Sequence, residues 1–253
     1  MDIFILQHPI CALVHYLILI LIQMNSKKIK LYFFILSSVF LPSVSYSRVD
    51  RNETEHLIEY SLSITKLSTY FDFQPGNTAE TKMEQIGIDW YESFSSYFHA
   101  GLEVGYIDMS QIDNSSTSAQ FTSGQYAGIK FRFLPVDSPL ISLSLNFDYR
   151  YNKTQGKNSV QESQFIWSES TLATELHFQP NSDIGLFIAS DYQFLDGSQQ
   201  TTGNINLSRS FKGSKSQGFR VGSKLSINRN GEIRVQWATG FRNSVEIHFT
   251  RTF

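Results

Sequence analysis

The sequence has one cysteine, Cys11, so it offers neither a disulfide framework nor a paired thiolate site. No sign of charge dominates: 21 lysines and arginines stand against 23 aspartates and glutamates. That balance leaves no basic stripe for nucleic acid. The hydrophobic fraction is an ordinary 41%, low for a membrane protein made of helices. Past Arg48 no apolar run approaches the roughly 20 residues that a membrane helix needs. A transmembrane barrel escapes that requirement, because only every second residue of each strand faces lipid. Aromatics, by contrast, are abundant at 14%.

Two apolar runs precede Arg48. The second has the order of a secretory signal. Met24 opens a basic stretch with Lys27, Lys28 and Lys30, an apolar run follows from Leu31 to Leu41, and Ser45 and Ser47 flank Tyr46. A chain cleaved after Ser47 loses three lysines and one aspartate, which moves the net charge from −2 to −4. The first run, Ile10 to Ile22, is short for a membrane anchor. The expected organisation is an upstream extension or extra apolar segment over residues 1–23, a signal peptide over 24–47 and a barrel domain over 48–253.

The body of the chain alternates with period two, the mark of a strand with two different faces. Ile58, Tyr60, Leu62 and Ile64 interleave with Glu59, Ser61, Ser63 and Thr65. Ile141, Leu143, Leu145, Phe147, Tyr149 and Tyr151 interleave with Ser142, Ser144, Asn146, Asp148 and Arg150. Ten such segments can be traced. In the segment 163–178, Phe165 and Trp167 have the opposite parity from Leu172, Leu176 and Phe178, so a bulge near Ser168 is expected. Short polar connections alternate with the long stretches 110–123, 152–162 and 196–216, as periplasmic turns and extracellular loops do. Aromatics gather at strand ends. Tyr70, Phe71, Tyr106, Tyr126, Tyr149, Tyr151, Trp167, Tyr192 and Phe194 are expected at the outer interface. Trp90, Tyr97, Phe98, Phe133, Phe178 and Phe253 are expected at the inner one. The pattern predicts an all-β, transmembrane, antiparallel up-and-down barrel of about ten strands, with eight as the second choice.

The last residues, Val245-Glu-Ile247-His-Phe249-Thr-Arg251-Thr-Phe253, resemble the terminal strand of Gram-negative outer-membrane β-barrel proteins. That family ends in an aromatic residue preceded by apolar residues at alternate positions. Val245, Ile247, Phe249 and Phe253 match, while Arg251 departs where an apolar residue is usual. The size is similar to that of small OmpA- and OmpX-like barrels and their ten-stranded relatives. The resemblance implies residence in the outer membrane, contact with its lipid and lipopolysaccharide, and insertion by the barrel-assembly machinery. It does not fix the job, since the family includes adhesins, structural barrels, porin-like pores and a few enzymes.

The parity opposite the lipid face carries the charges. Glu59, Asp89, Glu103, Asp148, Glu175, Asp191 and Glu246 are acidic there, and Lys130, Arg132, Arg150, Arg220, Lys224 and Arg234 are basic. A selective pore usually lines its constriction with one sign. Interleaved signs point instead to a lumen crossed by ion pairs. Of the histidines past Arg48, His56, His99 and His177 fall near the periplasmic end and His248 falls mid-strand. No catalytic, metal or cofactor constellation is recognised, and no cofactor is expected. Arg209, Lys212 and Lys215 make the 196–216 stretch locally basic. The expected function is a structural barrel, or one that binds an extracellular ligand through its long loops. A narrow pore is the alternative, and an outer-membrane hydrolase a remote second one. N-terminal sequencing of the unprocessed precursor is expected to read from Met24, and a start at Met1 would refute that.

Overall fold

The computed structural model describes residues 57–74, 76–112, 114 and 121–253. Cys11, both apolar runs, the signal-peptide segment and His56 lie outside the described residues. Eleven strands follow one another: β1 (Ile58–Phe73), β2 (Asn77–Ser93), β3 (Phe98–Ile112), β4 (Phe121–Asp137), β5 (Ile141–Lys157), β6 (Gln161–Phe178), β7 (Ile184–Gly203), β8 (Leu207–Gly213), β9 (Gln217–Asn228), β10 (Gly231–Gly240) and β11 (Arg242–Thr252). All pairings are antiparallel.

The sheet closes on itself where β1 pairs β11 from Glu59↔Thr252 to Thr69↔Arg242. Its last rung is reciprocal, with Phe253 N–H donating to Ile58 O at 2.8 Å and Ile58 N–H to Phe253 O at 3.2 Å. Closure leaves no open edge, the condition for a sheet in hydrocarbon. The ring through the membrane has ten strands, β1–β7 and β9–β11, matching the expected count; β8 is an eleventh outside that ring. The outward positions form an apolar belt, as in Leu102 and Val104 on β3, Leu172 and Leu176 on β6 and Phe219 and Val221 on β9, all exposed. Trp90, Tyr97, Phe98, Phe133, Phe178 and Phe253 are exposed at the end where β1 begins and β11 finishes. Tyr70, Tyr149, Tyr151, Tyr192 and Phe194 are exposed toward the other. The first end, closed by short turns flush with the belt, is the inner, periplasmic one, and the end past which the strands continue is the outer.

The segments expected to be long loops are largely strand. β5 and β6 run on to a tip at residues 158–160, and β3 and β4 extend to Ile112 and Phe121. The 196–216 stretch is the end of β7 plus β8, a hairpin rather than a loop. The register of β5 on β6 is unbroken, so no bulge occurs near Ser168. Register shifts occur instead between Phe133 and Val136 in β4, where Pro135 has no N–H for the ladder, and between Gly231 and Glu232 at the start of β10.

These extensions change the ring. β1–β7 have 15 to 20 residues each, well beyond the 9–11 that span a bilayer, whereas β9, β10 and β11 have 12, 10 and 11. The β10–β11 hairpin turns at Gly240, whose φ of 110° suits glycine, and Phe241 is buried at its tip. Above that tip β8 takes over: it pairs β7 from Asp196↔Lys212 to Thr201↔Leu207 and β1 over Phe71–Phe73. The barrel therefore narrows from ten strands in the membrane to eight outside it. On the lipid face, Leu172→Arg at mid-belt is expected to cost about 2–4 kcal/mol, read from unfolding in lipid vesicles.

Candidate functional site: a charged vestibule beneath an apolar plug

The inward positions sort into layers by height. Lowest, Arg132 reaches Glu59 at 3.4 Å and lies 4.5 Å over the Tyr91 ring, and Lys224 faces Glu232 at 3.6 Å. At mid-height two ion-pair clusters occupy opposite walls. On the β2–β6 wall Glu103 is the hub. Arg150 grips it through Nε–Oε1 at 2.6 Å and Nη2–Oε2 at 3.0 Å, and Lys130 Nζ lies 2.9 Å from its Oε2. Lys130 also donates to Asp89 at 2.9 Å, and Arg150 to Gln85 and Glu169 at 3.2 Å each. Asp148 stands opposite Lys130 in register. On the far wall Glu175 accepts from Arg234 at 3.0 and 2.5 Å and from His177 at 2.5 Å, while Arg220 holds Asp191 bidentately at 2.8 and 2.9 Å. Glu246 accepts from Gln236 and Ser244 and pairs Arg242 at 3.2 Å and His248 at 3.5 Å.

Eleven of the thirteen expected charges line one cavity, and the other two, Glu103 and Asp191, are gripped by Arg150 and Arg220 of that lining. Glu169, Glu232 and Arg242 line it as well and are absent from the sequence-based set. Glu169 has the same parity as Glu175, and the bulge expected near Ser168 hides it.

Between the two walls lies a cavity of about 270 Å³. It extends from Tyr126, Thr65 and Arg242 down to the inner end beside Asn228, Arg229 and Thr252. Its lining mixes carboxylates and cations, Arg229 among them.

Above the cavity the polarity inverts. Leu67, Phe71, Phe73, Met83, Ile107, Met109, Tyr126, Phe165, Trp167, Leu195 and Phe211 form one buried apolar cluster inside the eight-stranded ring. Phe71, Tyr126 and Trp167 therefore leave the outer girdle in which the sequence pattern places them. The cause is a change of medium. Past the membrane the outer face meets water and carries Lys153, Lys157 and Glu162, while the inner face is dry. Phe211 of β8 stacks on Phe71 at 4.5 Å and tilts against Phe73 at 5.2 Å. Tyr126 fits because Gly87 and Gly105 face it; a Cβ at either would lie 2.0 and 2.4 Å from its side chain. Asn152, wholly buried beside Tyr126 and Trp167 in register, has no protein partner for either amide atom.

A polar lid covers the plug. Arg209 lies 3.8 Å over the Phe73 ring and donates to Gln199 at 3.0 Å and Asn114 at 2.6 Å. It belongs to the interior and not, as the sequence pattern has it, to a solvated basic loop. Lys212 is exposed and meets Asp196 at 3.7 Å. The histidines are dispersed. His99 Nδ1 contacts Ser93 Oγ at 2.9 Å, and Glu59 of the lower lumen is taken by Arg132. Among the described residues no cluster of His, Cys, Asp and Glu has a metal-holding arrangement.

Closed ring, apolar belt and polar lumen define the class: a transmembrane β-barrel of the bacterial outer-membrane kind. No family model matches the sequence, and no curated protein matches it. Solved structures with a related course include the translocator domain of the autotransporter NalP from Neisseria meningitidis, with 11% identity and a TM-score of 0.48 over 81% of this chain and 90% of that one. The outer membrane protease OmpT from Escherichia coli gives 10% and 0.49 over 82% and 98%. The attachment invasion locus protein Ail of Yersinia pestis gives 10% and 0.37 over 78% and 99%. The barrel assignment rests on the pairing and the two faces, not on these likenesses.

Arg150→Met, which leaves Glu103 with Lys130 alone, is expected to destabilise by about 3–5 kcal/mol, and Glu103→Gln with Arg150→Met by less than the sum of the single changes. Urea unfolding midpoints of the folded barrel in vesicles measure both.

Proposed function

We propose that this is a sealed outer-membrane barrel with a structural or surface-binding role, not a standing pore. The observation that carries the reading is the buried apolar cluster, which fills the eight-stranded ring from wall to wall above the charged cavity. Eight strands leave an interior just wide enough for side chains to fill. Beneath it the charges are interleaved and mutually paired, so no face of one sign is left to select an ion.

The strand extensions favour a part at the cell surface. β5 and β6 run past Tyr151 to the tip at 158–160, roughly 20 Å along the strand at 3.4 Å per residue. Their outward residues there are polar apart from Ile166, so the eight-stranded stem presents a stiff, mostly hydrophilic rim to an extracellular ligand. Lipopolysaccharide and outer-membrane lipid are the surroundings proposed for the belt. The strand ending Val245, Ile247, Phe249 and Phe253 is proposed as the segment that the barrel-assembly machinery reads. In it Arg251 lies 5.4 Å over the Phe253 ring, and Phe253 meets Tyr60 edge-on at 5.9 Å.

Proteoliposomes holding the purified barrel are expected to swell in small sugars no faster than protein-free vesicles, and steady swelling would overturn the sealed reading. Replacing residues 155–164 by a two-residue turn, which joins the paired Thr154 and Phe165, is expected to abolish binding to cells or matrix while the barrel still folds. Unchanged binding would put the ligand elsewhere on the barrel, and no binding by the parent would leave a structural role.

A further inference from the structure

We infer that β8 is a strap closing a lateral window, and that its release joins the charged cavity to the outer surface as a path for small polar solutes. This rests on the sealed reading above and adds where the seal opens.

β1–β7 form seven-eighths of the outer ring and are joined to one another along their full lengths. The remaining gap, between β7 and β1, is bridged by β8 alone. The bridge is lopsided. On β7 it spans Asp196 to Thr201, but on β1 only Phe71–Phe73, supplemented by Gln74 N–H to Ser210 O at 2.9 Å and Ser214 N–H to Tyr70 O at 3.1 Å. The strap ends at glycines: Gly203, with φ of 121°, before it and Gly213 after it. Its hold on the interior is two side chains: Phe211, stacked among Phe71, Phe73 and Phe165, and Arg209, which lies over the Phe73 ring and bonds Gln199 and Asn114.

What lies behind the strap is the second observation. The window's sill is the β10–β11 tip, where Thr69 Oγ1 donates to Phe241 O at 2.8 Å. Just inside that sill Arg242, which lines the cavity, pairs with Glu246. Withdrawal of β8 therefore takes Phe211 out of the plug and opens it to the side, over the short hairpin. Asn152, within the plug, has no protein partner for its amide in the closed state. A buried amide without partners disfavours the state that buries it, so hydration on opening offsets part of the cost of unpacking Phe211.

The test uses the full barrel in planar bilayers. Asp72 and Lys212 face each other directly across the β1–β8 seam, and the sequence's own cysteine, Cys11, lies before the barrel. Phe211→Ser is expected to raise the frequency of conducting events over the parent by about tenfold or more, because it truncates a ring packed in the seal. Adding Asp72→Cys and Lys212→Cys is expected to return it to the parent level when oxidised and to restore the events on reduction. Heat-shift on gels verifies that each variant is folded. A silent parent with an equally silent, folded Phe211→Ser overturns the strap alone, as does a rise that oxidation fails to suppress. Steady conductance of the parent overturns the sealed reading, and with it the strap. If Phe211→Ser does not fold, the milder Phe211→Leu in the same series decides by the same outcomes.

Discussion

The architecture depends on one geometric constraint, the shortness of the C-terminal hairpin. β10 and β11 are long enough to cross a bilayer and no longer, whereas β1–β7 continue outward. Where the hairpin ends, the ring must either gape or shrink, and β8 shrinks it by pairing both β7 and β1. A ring of eight has room only for side chains, and a ring of ten leaves a cavity. Plug and cavity are two consequences of the same difference in strand length.

The interior chemistry follows this division. In the wider ring, charges removed from bulk water are tolerable only when paired and hydrogen-bonded. Glu103 and Glu175 meet that need as hubs, each held by two cations from other strands. In the narrower ring there is no space for hydrated groups, so aromatic and aliphatic side chains interlock, and the polar layer resumes only at Arg209, Gln199 and Asn114. Tyr126 stands between the two regimes. Its ring joins the plug while the guanidinium of Arg150 lies 4.4 Å over it from below. Gly87 and Gly105 make the room it needs, which explains glycines on a face otherwise crowded with long side chains.

Much of the candidate site was legible in the sequence as a set, because strict alternation puts every second residue on one face. Its pairings were not. That Arg150 meets Glu103 and Gln85, 47 and 65 residues away, depends on the register of four strands and the curvature that brings them together. Trp167 departs from the sequence expectation for a specific reason. A bulge near Ser168 keeps every apolar residue facing outward, and that rule holds only while lipid is outside. Beyond the tyrosine girdle water lies outside, so Ile166 is the outward residue while Phe165 and Trp167 turn in without any break in register. The same inversion moves Phe71 and Tyr126 inside and makes β8 a strand in a stretch that reads as loop.

By itself the sequence determined an all-β chain with two-faced strands, an apolar belt bounded by aromatics, a charged opposite face and a terminal strand ending in Phe253. Each of these is a matter of residue spacing, and spacing is written in the chain. Only the tertiary structure decided that ten strands become eight, that the lumen is a cavity stopped by a plug, and which charge holds which. Those features arise from closure. Strand lengths must be compared around a ring before the space inside it is fixed, and a linear pattern contains no such comparison.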